Sequence, residues 1–184
     1  MGYKIWFGKY KGESLEEIAL GKKVLKGGKQ EGYEYFYNVG KGKPKYFGSF
    51  QNSPKAMERW NQIYFRLNMF VPDEKYKCHS PECENTPTQI SIAGNGEYGF
   101  SVSPAYISCD DDYCQSSLKG MSHQSILYPL GFDTILNFGW RGTYEKSAKR
   151  DQQQIAKVLK DLAGWEGNIT EDRATEFIDN LQTR

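Results

Sequence analysis

Short apolar stretches between glycines mark the first fifty residues. Within residues 3–12, Tyr3, Ile5 and Phe7 recur at every second position, a pattern that predicts a short strand. The segment GYEYFYNVG, residues 32–40, is dense in aromatic side chains and bounded by glycines. That composition is typical of strands, so a second strand is predicted there.

Two helices are predicted from their start signals. Ser14, with Glu17 three residues later, forms a capping box, so a short helix follows and stops at Gly21. The next helix starts at Ser53 with Pro54 at its first position, and it ends before residues 71–72. One face of this second helix is apolar, and we expect that face to pack in the core: Met57, Trp60, Ile63, Tyr64 and Leu67.

The middle of the chain predicts a β-hairpin. The segments TQISI (88–92) and YGFSVS (98–103) are typical of strands. The intervening AGNGE (93–97) contains Asn-Gly, a strong hairpin turn signal.

The tail predicts two further helices. The first spans about Thr143–Ala163 and ends at Gly164, and the last is capped by Thr170. Each has an apolar face, formed by Ile155, Val158, Leu159 and Leu162 in the first and by Ala174, Phe177, Ile178 and Leu181 in the second. The whole pattern predicts an α+β protein with a small mixed N-terminal module, a central four-cysteine β-ribbon and a C-terminal helical pair.

Charge divides the chain unevenly. Residues 1–60 hold 12 Lys and Arg against 6 Asp and Glu, a formal charge of +6. The remaining residues hold 12 against 17, or −5, so the net charge of +1 hides a basic front and an acidic back. The N-terminus is charged and lacks an apolar core, and no apolar run is long enough to span a membrane. We therefore expect a soluble cytoplasmic protein.

The four cysteines of the chain form two equal pairs. KCHSPEC holds Cys78 and Cys83, and CDDDYC holds Cys109 and Cys114, each pair with four intervening residues. A hairpin between the pairs brings its two ends together, so all four sulfurs are expected near one point. Thiols stay reduced in the cytoplasm, which favours a metal over disulfides. Four thiolates in a tetrahedron predict a structural Zn²⁺ site. Two disulfides, or four thiols without metal, are the alternatives.

The order of cysteine pair, hairpin and cysteine pair resembles a zinc ribbon over residues 73–118, although both pairs are C-x4-C where C-x2-C is commonest. Four thiolates leave no position for water on the metal, so a structural role is expected. The acidic run Asp110–Asp112 is interpreted as a solvated loop, because added carboxylates would repel an anionic zinc–thiolate centre.

A second resemblance lies at the N-terminus. Residues 7–12 read FGKYKG, and Leu15, Glu16 and Ile18 follow in the predicted helix. This resembles a small module at the C-terminus of exonuclease X-type nucleases and in short bacterial and phage proteins, in which later aromatics could correspond to Tyr33 and Phe36. The segment KKVLKGGKQEG then stands as an insertion. The resemblance implies an association with nucleic acid and no catalytic residue.

The basic front offers groups suited to nucleic acid. Lysines neutralise phosphates and aromatic rings stack on bases. The candidate contacts are Lys9, Tyr10, Lys11, Lys41, Lys43 and Lys45, with Tyr35, Tyr37 and Tyr46 nearby. We therefore expect a zinc-stabilised accessory protein without chemistry of its own, which binds DNA or RNA through residues 1–50.

Two alternative functions are kept open. The acidic C-terminal helices could dock a protein partner, which would make the chain an adaptor with a structural zinc. A metal-dependent nuclease is the less favoured alternative, with Arg141 and Glu145 as the kind of residues it would use. The chain has two histidines and no Walker loop or HExxH pattern, so the common catalytic signatures are missing.

Overall fold

Helices and one small sheet build the described part of the chain. A computed structural model describes residues 2–8, 10–20, 33–42, 48–91, 106–122, 127–134, 159–170 and 172–184. The helices with both ends in these ranges are α1 (Leu15–Ala19), α2 (Tyr33–Lys41), α3 (Gly48–Gln51), α4 (Pro54–Asn68), α5 (Asp112–Ser122) and α6 (Ala174–Asn180). The strands are β1 (Gln89–Ser91), β2 (Tyr106–Ser108) and β3 (Tyr128–Pro129). Helices with a separate antiparallel sheet agree with the predicted α+β class.

The capping box that predicts α1 is present in full. The Ser14 hydroxyl accepts from the Glu17 amide, and the Glu17 carboxylate accepts from the Ser14 amide, both at 3.1 Å. The described residues before it do not form the predicted strand, and Lys4 makes an isolated bridge to Ser14. The reason is local: the chain turns back at Gly8, whose φ is +68°, and Ile5 bonds to residues 12 and 13.

The predicted strand at residues 32–40 is wrong, because this segment forms helix α2. The residues of α2 described as buried, Tyr33, Phe36, Val39 and Gly40, fall at positions i, i+3, i+6 and i+7 and share one helical face. A short aromatic run fits a period of two and a period of 3.6 equally well. Packing decides here: the Phe36 ring stacks on Trp60 of α4, and the Trp60 indole donates to the Phe36 carbonyl at 2.8 Å.

Helix α4 is the centre of the main core and agrees with its prediction. It begins at Pro54, with the Ser53 hydroxyl accepting from the Ala56 amide at its N-cap. Trp60, Ile63 and Leu67 are buried, and Met57 and Tyr64 are partly buried. One hydrophobic cluster joins this face to the others of the helical core, including Ile5, Leu15, Ile18, Phe36, Phe50 and Phe177.

The sheet has three short antiparallel strands in the order β2-β1-β3. Ile90 in β1 pairs with Ile107 in β2 on one side and with Tyr128 in β3 on the other. The predicted strand at 88–92 is confirmed as β1. The predicted strand at 98–103 and the turn at 93–97 lie outside the described residues, and the described partners of β1 are β2 and β3.

The described part of the tail confirms the predicted burial of Leu159 and Leu162 and corrects the start of the last helix. Residues 143–158 of the first predicted helix, with Ile155 and Val158, lie outside the described residues. Residues 159–162 are helical, and Gly164, at φ +64°, ends that helix with the two hydrogen bonds of a Schellman motif. Thr170 is not the cap of the last helix, which begins at Ala174. Its hydroxyl instead bonds to the Asp172 carboxylate at 2.5 Å. The apolar positions of that segment are buried as predicted: Ala174, Phe177, Ile178 and Leu181.

Hydrogen bonds of the last two residues connect the sheet to the helical core. Thr183 bridges to Phe70 just after α4, and the Arg184 amide donates to the Met69 carbonyl at 3.0 Å. The Arg184 guanidinium reaches the sheet and donates to the carbonyls of Thr88 and Leu130, both at 3.1 Å. Among the described helices, none has the length and apolar character needed to cross a membrane.

Candidate metal centre

The first cysteine pair lies on a loop shaped by backbone hydrogen bonds. The Cys78 amide donates to the Asn85 carbonyl at 3.0 Å, and the Cys83 amide donates to the Ser80 carbonyl at 3.1 Å. Glu82, directly before Cys83, has φ +62°, in the left-handed region that residues with a Cβ rarely adopt. The loop therefore turns sharply enough to bring both thiols to the same side.

The second pair joins a strand to a helix. Cys109 directly follows β2, and Cys114 lies in the first turn of α5. The Asp111 carboxylate accepts from the Cys114 amide at 3.1 Å, and its carbonyl accepts from the Gln115 amide at 3.0 Å. Asp111 thus acts as the N-cap of α5 and fixes where the helix, and with it the Cys114 thiol, begins.

Hydrogen bonds between the first loop and β2 bring the two pairs together. The His79 amide donates to the Ile107 carbonyl at 2.9 Å, and the Thr88 amide donates to the Ser108 carbonyl at 2.8 Å. The four Sγ atoms, of Cys78, Cys83, Cys109 and Cys114, consequently all lie within 4.8 Å of one another.

This spacing suits a single metal ion. A tetrahedral metal with bonds of about 2.3 Å to sulfur requires sulfur–sulfur distances of about 3.8 Å. The Sγ atoms of Cys83 and Cys109, one from each pair, are 3.9 Å apart. All four cysteines are free thiols, so the alternative of two disulfides is not what the structure contains. The cluster can hold a metal ion, as the sequence predicts.

The groups around the sulfurs are also those that a metal–thiolate centre needs. The Asn85 side-chain amide donates to the Cys109 sulfur at 3.8 Å. The Ser80 hydroxyl is buried and has no hydrogen-bond partner among the described residues, yet it lies near enough to the Cys114 thiol to affect its pKa. A buried hydroxyl without a partner is unfavourable unless a nearby acceptor becomes available. A metal-bound thiolate at Cys114 would supply that acceptor.

The thiols influence one another's protonation. Burial raises the pKa of Cys78, but hydrogen bonds from the backbone at Ser80 and Cys109 outweigh it, and this pKa lies below its ordinary value. At Cys114 the Ser80 hydroxyl lowers the pKa, but burial and the thiols of Cys83 and Cys109 prevail and raise it to about 12. Crowded thiols therefore resist ionising together. A bound cation would remove that repulsion and displace their protons.

The acidic run beside the second pair does not join the sulfur cluster. Asp110, Asp111 and Asp112 are all exposed, as a solvated acidic loop would be. Asp111 has the capping role described above, and the Asp110 carbonyl accepts from the Gln115 side chain at 3.1 Å. His79 is exposed, and its Nδ1 accepts from the Ile107 amide at 3.4 Å. Neither Asp110–Asp112 nor His79 belongs to the group of atoms that could share the ion.

Of the six residues predicted to contact nucleic acid, the described part of the chain contains three. Lys11 and Lys41 are exposed, as that role requires. Tyr10 is fully buried and packs against Tyr35 with ring centroids 4.6 Å apart, so its ring has no surface on which a base could stack. The alternation of Tyr3, Ile5 and Phe7 does not predict the burial of Tyr10, because that burial follows from the turn at Gly8. Lys9, Lys43 and Lys45 lie outside the described residues.

Three supporting residues of the metal centre escaped the sequence prediction: Ser80, Asn85 and Asp111. Helix α5 was missed as well. For α5 a signal exists, since Cys114, Leu118 and Met121 recur with helical spacing after Asp111, a favoured N-cap residue. Ser80 and Asn85 carry no comparable signal, because their positions near the sulfurs depend on the tertiary arrangement.

No protein-family model, curated protein or solved structure matches the chain.

Proposed function

We propose that the chain is a zinc-stabilised accessory protein that binds nucleic acid through its basic N-terminal face. The clustering of four cysteine sulfurs within 4.8 Å is the observation that carries the first half of this proposal. Soft thiolate ligands in a tetrahedral set favour Zn²⁺ over Mg²⁺ or Ca²⁺, which prefer oxygen.

The zinc would stabilise the fold. Four thiolates fill a tetrahedral shell and leave no position for water or substrate. The ion would join the loop of Cys78 and Cys83 to the strand–helix unit of Cys109 and Cys114. Among the described residues, the hydrophobic cluster at this site consists of the cysteines themselves and one aliphatic side chain, Leu118, so the described packing around the sulfurs is small. Metal binding would then contribute directly to the folding of this region.

Charge and exposure support the proposed binding of nucleic acid. The first sixty residues carry a formal charge of +6, and Lys11 and Lys41 present their ammonium groups to solvent. The FGKYKG resemblance adds an association with nucleic-acid enzymes. The adaptor alternative needs an apolar face on the tail, but the apolar side chains of α6 are buried in the main core. For the nuclease alternative, Arg141 and Glu145 lie outside the described residues.

Metal analysis tests the zinc. Protein purified without chelator should contain about one zinc per chain by elemental mass spectrometry. Cys109→Ser should lose it, whereas Ser116→Ala, a change in the same module away from the sulfurs, should retain it. Wild-type protein that carries no metal and does not bind added Zn²⁺ would refute the metal centre.

Salt dependence tests the nucleic-acid half. Binding to a DNA or RNA oligonucleotide should weaken steeply as salt rises, because phosphate contacts release counterions. Lys9→Glu with Lys11→Glu should weaken binding and reduce the slope of log K against log salt by about 2.

The pair Lys75→Glu with Lys77→Glu is a matched control. It has the same spacing and changes the formal net charge equally, from +1 to −3. Its lysines belong to exposed salt bridges with Asp161 and Glu84, which contribute little to stability. Equal losses in the two double variants would mean that net charge, and not the basic front, governs binding.

A further inference from the structure

Three aromatic rings form a ladder from the main core to the surface. The Phe36 and Trp60 rings stack with centroids 5.4 Å apart, and the Trp60 and Tyr64 rings stack at 4.8 Å with planes only 11° apart. Phe36 and Trp60 are buried, while Tyr64 is partly buried. At the outer end lies Tyr37, tilted against Tyr64 at 6.1 Å and 37% exposed.

A cation lies at the outer end of this ladder. The Lys41 ammonium is 5.1 Å from the Tyr64 ring centroid, 5.7 Å from that of Tyr37 and 5.8 Å from that of Trp60. Lys41 is exposed, and within the described ranges no carboxylate forms a salt bridge with it. Its charge is therefore held beside the rings and remains available to an anion.

Hydrogen bonds hold the ladder in place. The Tyr64 hydroxyl donates to the Asp133 carboxylate at 2.7 Å, and the Tyr33 hydroxyl donates to its other oxygen. The Trp60 indole is fixed by its bond to the Phe36 carbonyl. Gly40 lies directly against that indole, where a Cβ would come within 1.9 Å of a ring carbon. The rings are thus ordered before any ligand arrives, which lowers the entropic cost of binding.

We propose that Tyr37, Tyr64 and Lys41 form a binding site for an unpaired nucleobase, with the base stacked on the exposed ring of Tyr37, beside Tyr64, and Lys41 at its phosphate. This deepens the proposed function and rests on it, by naming the partner as single-stranded nucleic acid. A flat aromatic face beside one fixed cation matches the two parts of a nucleotide. In a duplex the base faces are already stacked on their neighbours, so they cannot reach these rings.

Stacking of this kind is tolerant of sequence, because every base has a π face. The site therefore predicts little discrimination between homopolymers and a clear preference for single strands over the same sequence as a duplex. Tyr37 takes the stacking role for which Tyr10 was a candidate, because Tyr37 is at the surface and Tyr10 is buried.

The experiment measures the affinity of the intact, metal-loaded protein for a fluorescent thymidine or uridine oligonucleotide by anisotropy. Tyr37→Ala should weaken binding about 10-fold or more, while Tyr37→Phe, which keeps the ring, should retain it. Lys41→Ala should weaken binding and reduce its salt dependence, while Lys41→Arg should retain both.

Two control variants test the location. Tyr113→Ala removes a tyrosine that is 78% exposed in the metal module, and Lys75→Ala removes a lysine that lies 5.2 Å from the ring centroid of Tyr76. Both should bind like wild type. Neither change lies near the ladder.

The outcomes separate this inference from the proposed function. If wild type binds nucleic acid with the expected salt dependence but Tyr37→Ala and Lys41→Ala bind equally well, the stacking site is wrong and the basic front stands. Equal affinity for duplex and single strand would likewise overturn the site. If wild type binds neither DNA nor RNA at low salt, both proposals fail.

Discussion

The carboxylate of Glu16 in α1 accepts a hydrogen bond from Nε of Arg59 in α4 at 2.8 Å, across 43 positions of sequence. The Glu16 side chain is fully buried, and it also accepts from the Tyr3 amide at 3.0 Å. The same guanidinium reaches Asp179 of α6 at 2.8 Å. One arginine therefore links three helices that lie far apart in sequence.

Loss of that arginine should destabilise the fold strongly. Arg59→Met keeps most of the apolar stem but leaves the buried Glu16 carboxylate without its cation, and such a change costs about 3 kcal/mol. The midpoint of urea unfolding should fall accordingly. Lys55→Met, at an exposed position of the same helix, should change the midpoint little.

A double-mutant cycle identifies the partner. In a Glu16→Gln background the side chain at position 16 is neutral, so Arg59→Met should cost at least about 1 kcal/mol less than in wild type. If the two substitutions are simply additive, the pair does not carry the stabilisation.

How much the sequence predicts depends on whether a signal is local. Helices α1 and α4 were predicted because Ser14 and Ser53 cap them within four residues of chain. Helix α2 was mistaken for a strand because its aromatic run fits either period. The contacts that favour the helix, between Phe36 and Trp60, join residues 24 positions apart.

The metal centre also has one part that a local signal predicts and another that depends on contacts between distant residues. Two C-x4-C pairs on either side of a hairpin pattern were enough to predict that the four sulfurs meet. The donors around them were not predictable, since the Asn85 amide meets the Cys109 sulfur across 24 residues. Spacing therefore predicts ligands well, while the groups that orient the ligands depend on the completed fold.

The cap of α5 should matter to the metal site. Asp111→Ala removes the hydrogen bond to the Cys114 amide and should cost about 1 kcal/mol of stability. Because Cys114 lies in that first turn, zinc affinity should also fall, by about 10-fold in a chelator competition. Asp111→Asn retains a capping oxygen and should behave like wild type, as should Asp110→Ala, whose side chain takes no part in the cap. Full zinc affinity in Asp111→Ala would show that the cap does not position the ligand.

The turn before Cys83 should tolerate glycine better than any other residue. Glu82 adopts φ +62°, which costs a residue with a Cβ about 1 kcal/mol and glycine very little. Glu82→Gly should therefore leave the stability of the zinc-loaded protein unchanged or slightly higher. Glu82→Val, whose branched side chain is the least compatible with this conformation, should lower stability and speed the loss of zinc to a chelator. The opposite order of the two variants would contradict the left-handed turn.

The tyrosines around Asp133 should make the fold sensitive to alkali. Burial, followed by the charge and hydrogen bonding of Asp133, raises the pKa of Tyr33 well above its ordinary value, and the same causes raise the pKa of Tyr64. In the unfolded chain both tyrosines ionise near their ordinary pKa of about 10. Above that pH the unfolded state loses protons that the folded state keeps, so stability is full below pH 10 and falls as the pH rises.

The slope of the free energy of unfolding against pH tests whether the tyrosines at Asp133 cause the loss. Each such tyrosine should contribute about 1.4 kcal/mol per pH unit above its unfolded pKa. Urea unfolding followed between pH 8 and 11 should show the decline in wild type, and Tyr64→Phe should make it shallower by about one proton. Tyr113→Phe, a change at an exposed ring, is the matched control and should leave the slope unchanged. An identical slope in Tyr64→Phe and wild type would mean that the hydroxyl at Asp133 ionises as easily in the folded protein as in the unfolded chain.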